Sequence, residues 1–131
     1  MRRVPRFLAA VPALPVADER AAVAFYVRVL GFTELLGPDG EGLAILVRDE
    51  VEVHLWVADG SAPGAETHLA GSASCRLSVE GVQELHRHCE QLRVVHPRAP
   101  LRITDWGTLE FGLLDLDGNL VTLYEQAAPG T

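Results

Sequence analysis

The sequence predicts an α+β fold built from two tandem βαβββ modules, each forming a curved sheet with a helix on its outer side. Three observations predict it: the same order of strands and helix occurs twice, both helices are amphipathic, and the clearest strands alternate between two kinds of face. A chain of 131 residues suits one domain. We therefore expect a single domain over 1–131, with module 1 at about 7–58, a linker at about 59–72 and module 2 at about 73–126.

The first predicted helix covers Glu19–Leu30 and has clear start and stop signals. Asp18 precedes it and can cap its free N–H groups, and Gly31 follows it in the position where glycine commonly ends a helix. Apolar residues recur at the spacing that puts them on one helical face, namely Ala22, Phe25, Tyr26 and Val29. This helix is therefore expected to cover one side of the first sheet.

Strands and turns account for most of the other predicted elements. In module 1, we expect strands at Leu8–Val16, Phe32–Leu36, Leu43–Val47 and Val51–Val57, a loop at 37–40 and a turn at Arg48–Glu50. In module 2, we expect strands at Ala73–Val79, Leu109–Leu114 and Leu120–Glu125, a helix at Val82–Leu92, an extended segment at Leu101–Ile103 and a turn at Asp115–Asn119. A stretch rich in Gly, Ala, Ser and Pro, from Ala58 to Gly71, forms the linker.

Composition and charge exclude several classes of protein. A formal charge of −7 argues against a nucleic-acid partner, which would need a basic face, and favours a cationic or neutral ligand. No apolar run approaches the roughly 20 residues that span a bilayer, so no membrane partner is expected. The basic N-terminus is followed by Pro12 and Pro15 and then by charged residues, which favours a cytoplasmic protein over a secreted precursor. Cys75 and Cys89 are too few for a disulfide scaffold.

Two strands carry matched polar and aromatic residues that predict a ligand cleft. Glu52, His54 and Trp56 share one face of their strand, while the residues between them are all apolar and belong against the helix. Thr122 and Tyr124 occupy the same kind of face on the last strand. Because a concave sheet is a ready cleft, we expect an aromatic on each side of a pocket. The alternative is that these aromatics are half-exposed core or interface residues.

Trp106 is the other informative aromatic, because it lies in a loop beside Asp105 and Gly107 rather than within an element. A tryptophan in such a loop is typical of a ligand or interface contact. His86 and His88 stand two residues apart on the second helix and face different ways, so we expect them to lie on a solvated face.

Five stretches together resemble the vicinal oxygen chelate superfamily, which includes glyoxalases, extradiol dioxygenases, and fosfomycin and bleomycin resistance proteins. The first module contributes 11–18, 24–26 and 30–32, and the second contributes 111–115 and 117–119. The resemblance covers nearly the whole chain and implies the fold. It does not by itself choose among the several chemistries that this fold hosts.

The metal-ligand positions implied by this resemblance carry a poor set of donors. They correspond to Val11, His54, Ser74 and Thr122 in this sequence. Of these, only His54 is a good ligand, whereas catalytic mononuclear sites normally need three from His, Cys, Asp or Glu. We therefore expect no metal and no other cofactor.

Within the superfamily, the sequence most resembles the bleomycin resistance branch, which binds drug without a metal. The stretches 9–12 and 47–51 resemble its first strand and third hairpin, and Trp106 and Gly107 resemble a loop that stacks on the drug's flat rings. The resemblance implies a homodimer in which the first strand is exchanged between subunits. Phenylalanines of the family cleft are replaced here by Leu36, Leu43 and His54, while Trp56 is added. The resemblance therefore leaves open a ligand other than bleomycin.

The resulting hypothesis is a drug-sequestering protein with no catalytic residue. Trp56 and Trp106 would stack on a flat-ringed peptide antibiotic, Glu52 and Glu110 would pair with its amines, and the remaining cleft residues would be Leu36, Leu43, His54, Gly107, Thr122 and Tyr124. One alternative is a metal-dependent lyase, isomerase, dioxygenase or thiol transferase that uses His54. Another is a ligand carrier in a biosynthetic pathway.

Overall fold

The computed structural model describes residues 3–36 and 42–127, so the loop predicted at 37–40 lies outside the described residues. Module 1 contains β1 (Ala13–Val16), α1 (Glu19–Leu30), β2 (Thr33–Leu36), β3 (Leu43–Arg48) and β4 (Val51–Val57). Module 2 contains β5 (Ser74–Ser78), α2 (Val82–Gln91), β6 (Arg102–Ile103), β7 (Thr108–Leu114) and β8 (Leu120–Gln126). A short 3₁₀ helix at Thr67–Leu69 lies in the segment predicted as a linker.

Each module forms one four-stranded sheet, and the two sheets have equivalent strand orders. Sheet 1 runs β1-β4-β3-β2 and sheet 2 runs β5-β8-β7-β6. In each sheet the first strand pairs in parallel with the last strand of its module, and the other neighbours are antiparallel. This repeated arrangement confirms the predicted α+β class with two βαβββ modules.

The local signals at the first helix act as predicted. The backbone N–H of Ala21 donates to the Asp18 carboxylate at 2.9 Å, and Gly31 has a φ of 69°. That left-handed conformation lets the N–H groups after the helix turn back onto its last carbonyls. The predicted helical face is also buried, since Ala22, Phe25, Tyr26 and Val29 are each at most 4% exposed.

The first strand is shorter than predicted, because β1 begins at Ala13 and residues 3–12 form no strand. Pro12 has no N–H to donate, so the ladder between β1 and β4 cannot continue through it as a regular pair. The segment before Pro12 is exposed despite its apolar residues: Val4, Phe7 and Leu8 are 85%, 100% and 83% exposed. We call residues 3–11 the N-terminal arm. Its apolar side chains have little to pack against in the single chain.

Both modules contribute to one hydrophobic core. The cluster joins Leu14, Tyr26 and Leu55 of module 1 to Phe111 and Leu123 of module 2, all at most 2% exposed. The alternation predicted for β4 and β8 is confirmed, because Val53, Leu55, Val121 and Leu123 are buried while the residues between them are not. The partly exposed residues of these strands therefore lie on the opposite, open faces of the sheets.

A buried carboxylate in the β7–β8 turn ties module 2 to module 1. Asp115 accepts hydrogen bonds from the backbone N–H groups of residues 117–119, from the Tyr26 hydroxyl at 2.7 Å and from the Asn119 side chain at 2.9 Å. Asn119 also donates to the Pro15 carbonyl at 2.8 Å. Burial, with the charge of Asp115, raises the pKa of the Tyr26 hydroxyl well above its ordinary value, so this group stays a donor.

Candidate binding site on two open sheet faces

The open face of sheet 1 carries Leu36, Leu43, Glu52, His54 and Trp56. Leu43 of β3 lies opposite Trp56 of β4. Ile45 of β3 lies opposite Leu36 of β2 on one side and opposite His54 of β4 on the other. Cross-strand partners project to the same side of a sheet, so these five side chains share one surface. The structure thus brings together all the residues that were predicted to line the cleft from module 1.

Glu52 and His54 form a pair on that face. The His54 Nε2 lies 2.5 Å from the Glu52 Oε2, and the two side chains are 26% and 43% exposed. Both groups therefore remain accessible from solvent. The open face of sheet 1 presents one carboxylate, one imidazole and one half-buried indole.

The open face of sheet 2 is organised around a different ion pair. We define this face by Arg76, Arg102, Glu110, Thr122 and Tyr124. Arg76 holds both oxygens of Glu110, with Nη2–Oε2 at 2.8 Å and Nη1–Oε1 at 3.3 Å. The Arg76 Cζ lies 4.6 Å from the centroid of the Tyr124 ring, which is within cation–π range.

These contacts change the role that can be given to Glu110. The Glu110 residue is 7% exposed and its Oε2 also accepts a hydrogen bond from the Thr108 hydroxyl at 2.8 Å. Both oxygens are already engaged, so the expectation that Glu110 offers a free carboxylate to a ligand amine does not fit this geometry. Its partner Arg76 was missed by sequence analysis. The alternation of Ser74, Arg76 and Ser78 with the core-facing Cys75 and Leu77 could have revealed it.

The ion pair also shifts the pKa of Glu110. Hydrogen bonds from Arg76 hold that pKa below its ordinary value against the opposing effect of burial. The folded chain therefore binds this proton less tightly than the unfolded chain. This difference stabilises the fold at pH values above the ordinary Glu pKa. The stabilisation is lost as the pH falls through the lowered pKa of Glu110 in the folded chain.

Trp106 lies at the tip of the β6–β7 hairpin and is 59% exposed. The backbone of Thr104 bonds that of Thr108 at 2.8 Å, and the two hydroxyl oxygens are 2.8 Å apart. Gly107 has a φ of 86° and accepts a hydrogen bond from Ala127 N–H at 2.9 Å. These contacts fix the backbone that carries Trp106, and the Arg102 Cζ lies 5.8 Å from the centroid of its ring.

The residues matched to a protein-family model now identify the family. Residues 8–123 match the model of the glyoxalase/bleomycin resistance protein/dioxygenase superfamily. The chain belongs to this superfamily. The match spans both modules, in agreement with the equivalent strand orders of the two sheets.

Relatives within the superfamily include proteins named for bleomycin resistance. The chain is 38% identical over 130 residues to the bleomycin resistance protein of Geobacillus stearothermophilus, and the match covers 91% of this chain and 97% of the relative. A bleomycin resistance protein of Staphylococcus aureus matches to the same extent.

Two solved structures show the same fold with related sequences. The bleomycin resistance determinant encoded on the transposon Tn5 superposes with a TM-score of 0.73 at 26% identity, covering 93% of this chain and all of that one. The bleomycin-binding protein of Streptomyces verticillus, solved with copper(II)-bleomycin, has a TM-score of 0.71 at 27% identity, with coverages of 95% and 99%.

The positions that the superfamily resemblance assigns to metal ligands carry a donor set that suits a catalytic metal poorly. Val11 lies in the N-terminal arm, before β1, and Ser74 and Thr122 carry hydroxyls rather than the usual catalytic ligands. Within residues 3–36 and 42–127, no three His, Cys, Asp or Glu side chains come together as metal ligands do. The donor set at these positions therefore does not fit a catalytic metal.

The two histidines of α2 face different ways, as predicted, but only His88 is exposed. His86 packs edge-on against Phe111, with ring centroids 5.0 Å apart, and its Nε2 lies 3.1 Å from Glu90 Oε1. The His88 Nε2 lies 3.1 Å from the Val29 carbonyl oxygen of α1. The prediction of a solvated face is confirmed for His88, which is exposed, and is wrong for His86, whose ring packs against Phe111 of β7.

Other features of the described chain lie away from the two open faces. An open cavity of about 510 Å³ is lined by α2 and the segment after it, through Gln83, His86, Arg87, Glu90, Gln91 and Leu101. Burial raises the pKa of the Cys75 and Cys89 thiols to about 11, so neither is a reactive thiolate at neutral pH. Of the helices described, none has the length and apolar character that crossing a membrane requires.

Proposed function

We propose that this chain binds a bleomycin-type or other flat-ringed peptide antibiotic and sequesters it without chemical change. The observation that carries the proposal is Trp106, a large aromatic held 59% exposed at the tip of a hydrogen-bonded hairpin. Exposed tryptophans with fixed positions lose little entropy when a flat ring stacks on them. The names of the bleomycin resistance relatives support the same ligand class.

The two open faces supply complementary contacts in this proposal. On sheet 1, Trp56 provides a second aromatic surface, Leu36 and Leu43 provide apolar contact, and Glu52 pairs with an amine of the drug. On sheet 2, Thr122 and Tyr124 line the opposite wall beside Gly107 of the Trp106 hairpin. The formal charge of −7 favours the approach of a cationic drug to a protein acting in the cytoplasm.

The proposal includes a homodimer that exchanges the N-terminal arm. The arm leaves Phe7 and Leu8 100% and 83% exposed, and burying such side chains on a second copy would be favourable. Sheets 1 and 2 are separate in one chain. In the proposed dimer, the sheet 1 face of one copy lies opposite the sheet 2 face of the other. Sedimentation of the full chain should give a dimer, and the chain without residues 1–11 should give a monomer. A full-length monomer would remove this part of the proposal.

The experiment that tests the binding proposal is calorimetric titration of bleomycin into the wild-type protein and the Trp106→Ala variant. We expect the variant to lose about 1–3 kcal/mol of binding free energy, the usual loss for a stacking partner. Leu116→Ala is the matched control, because Leu116 is 60% exposed and lies in the β7–β8 turn instead. Equal affinity of Trp106→Ala and wild type would exclude Trp106 from the site, and no binding to wild type would exclude bleomycin as the ligand.

A further inference from the structure

We infer that Arg76 is a ligand-recognition residue, and that its guanidinium, held against Tyr124, donates to a carbonyl oxygen at the edge of a flat heteroaromatic ring. This inference rests on the proposed function and extends it. It names a contact that sets the orientation of the ligand, and the chemical class of the ligand group that Arg76 binds. It rests on the contacts of Arg76, on its unused hydrogen-bond donors and on the charge of the surrounding sheet face.

Two neighbouring side chains fix the orientation of the Arg76 guanidinium. Glu110 binds both of its terminal nitrogens, at 2.8 and 3.3 Å, and the Tyr124 ring lies 4.6 Å from its central carbon. A two-point contact of this kind fixes orientation as well as position. The Arg76 side chain nevertheless remains 46% exposed, so it is accessible to a ligand.

Arg76 also retains hydrogen-bond donors. A guanidinium has about five N–H groups, and the two contacts with Glu110 use two of them. Among the described residues, Glu110 is the hydrogen-bond acceptor that Arg76 reaches. A carbonyl oxygen at the edge of a ligand ring, if it lies in the guanidinium plane, would satisfy a remaining N–H that would otherwise lose water on binding.

The charge of this face favours such an acceptor over an amine. Arg102 lies opposite Glu110 in the β6–β7 register, so this face carries two arginines and one glutamate. The open face of sheet 2 is thus locally positive, although the whole chain has a charge of −7. The open face of sheet 1 instead presents Glu52. A ligand with a ring carbonyl at one end and an amine at the other would bind in a single orientation.

A short hydrogen-bonded chain connects Arg76 to the Trp106 hairpin. Ionised Glu110 only accepts, so the Thr108 hydroxyl donates to it and must itself accept from the Thr104 hydroxyl. The Thr108 N–H completes the chain by donating to the Thr104 oxygen at 3.1 Å. Glu110 and Thr108 are therefore positioning residues that hold the guanidinium and the hairpin in fixed relation.

The test uses two probes that share a ring and differ in the edge group: quinoxaline-2-carboxamide and 2-(aminomethyl)quinoxaline. Each is titrated into the full-length wild-type protein while NMR follows the arginine Nε–Hε signals. We expect the carboxamide to shift the Arg76 signal saturably and the amine to bind at least about tenfold more weakly. An Arg76 signal that stays unmoved while the carboxamide saturates, or equal affinities for the two probes, would overturn the inference.

The variant Arg76→Lys preserves the charge and can still pair with Glu110, but it removes the planar group. We expect about tenfold weaker carboxamide binding, whereas Arg20→Lys, a matched change at an exposed position on α1, should bind like wild type. Thermal unfolding and the Glu110 carboxyl chemical shift report whether Arg76→Lys keeps its fold and ion pair. A folded Arg76→Lys variant with wild-type affinity contradicts the inference.

Failure of the proposed function would be recognised separately. If wild type binds bleomycin, and Arg76→Lys binds both bleomycin and the carboxamide as tightly as wild type does, the inference is wrong and the proposed function stands. The opposite outcome is that wild type does not bind bleomycin, while the carboxamide shifts the Arg76 NMR signal and binds Arg76→Lys more weakly. In that case the inference stands and the proposed drug is wrong.

Discussion

Replacing Asp115 with alanine should lower the free energy of unfolding by about 3–5 kcal/mol, because several buried donors lose their acceptor at once. The carboxylate is 6% exposed and accepts from three backbone N–H groups, from Asn119 and from Tyr26. Water can replace only some of these contacts at such a buried site. A loss of this size is a large part of the stability of an ordinary domain. Urea denaturation followed by circular dichroism measures it.

Asp117→Ala provides the matched control within the same turn. Its carboxylate accepts a single hydrogen bond across the modules, from Ala17 N–H at 2.9 Å, and burial raises its pKa above the ordinary value. We expect this variant to lose about 1 kcal/mol or less. If Asp115→Ala and Asp117→Ala were equally stable, Asp115 would not be the group that ties the β7–β8 turn to module 1.

Gly71→Ala is expected to have a comparable effect through steric overlap rather than lost hydrogen bonds. Gly71 has a φ of 81°, and a Cβ at this position would lie 1.9 Å from the Asp117 carbonyl oxygen. Its N–H donates to the Pro15 carbonyl at 3.0 Å, so the linker, β1 and the β7–β8 turn meet here. Since backbone atoms cannot move aside singly, we expect a loss of about 3–5 kcal/mol from strain and displacement together.

Gly64→Ala separates the steric effect from the cost of the left-handed conformation. Gly64 has a φ of 88°, close to that of Gly71, but a Cβ there would meet nothing within 4 Å. This variant should therefore show only the conformational cost, about 1–2 kcal/mol. Equal unfolding free energies for the two variants, measured by urea denaturation, would contradict the close contact at Gly71.

Much of the fold could be predicted because its signals are local. Asp18 and Gly31 mark the ends of α1, and the structure has that helix at the predicted bounds. The alternation along Val51–Val57 gave both the strand and its buried side. The same alternation correctly grouped Glu52, His54 and Trp56 on one open face. Their role in binding remains a prediction, as does that of Trp106.

The features that sequence analysis missed depend on contacts between distant parts of the chain. Residues 8–12 have the composition of a strand, but a strand also needs a partner, and β4 pairs only from Ala13 onward. His86 looked exposed because its contact, the Phe111 ring, lies on β7 rather than on its own helix. Glu110 looked available because its partner Arg76 lies 34 positions away. A periodic signal can show the face on which a residue lies, as the alternation along β5 does for Arg76, but not the partner that it meets there.

Sequestration without chemistry is tested most directly by titrating the chelator-treated protein with bleomycin and then recovering the drug. Tryptophan fluorescence should quench saturably at one ligand per chain, because a flat ring stacks on an indole. Drug released by denaturing the complex should have the same mass as the drug added. An unquenched protein, or a recovered drug of altered mass, would contradict the account.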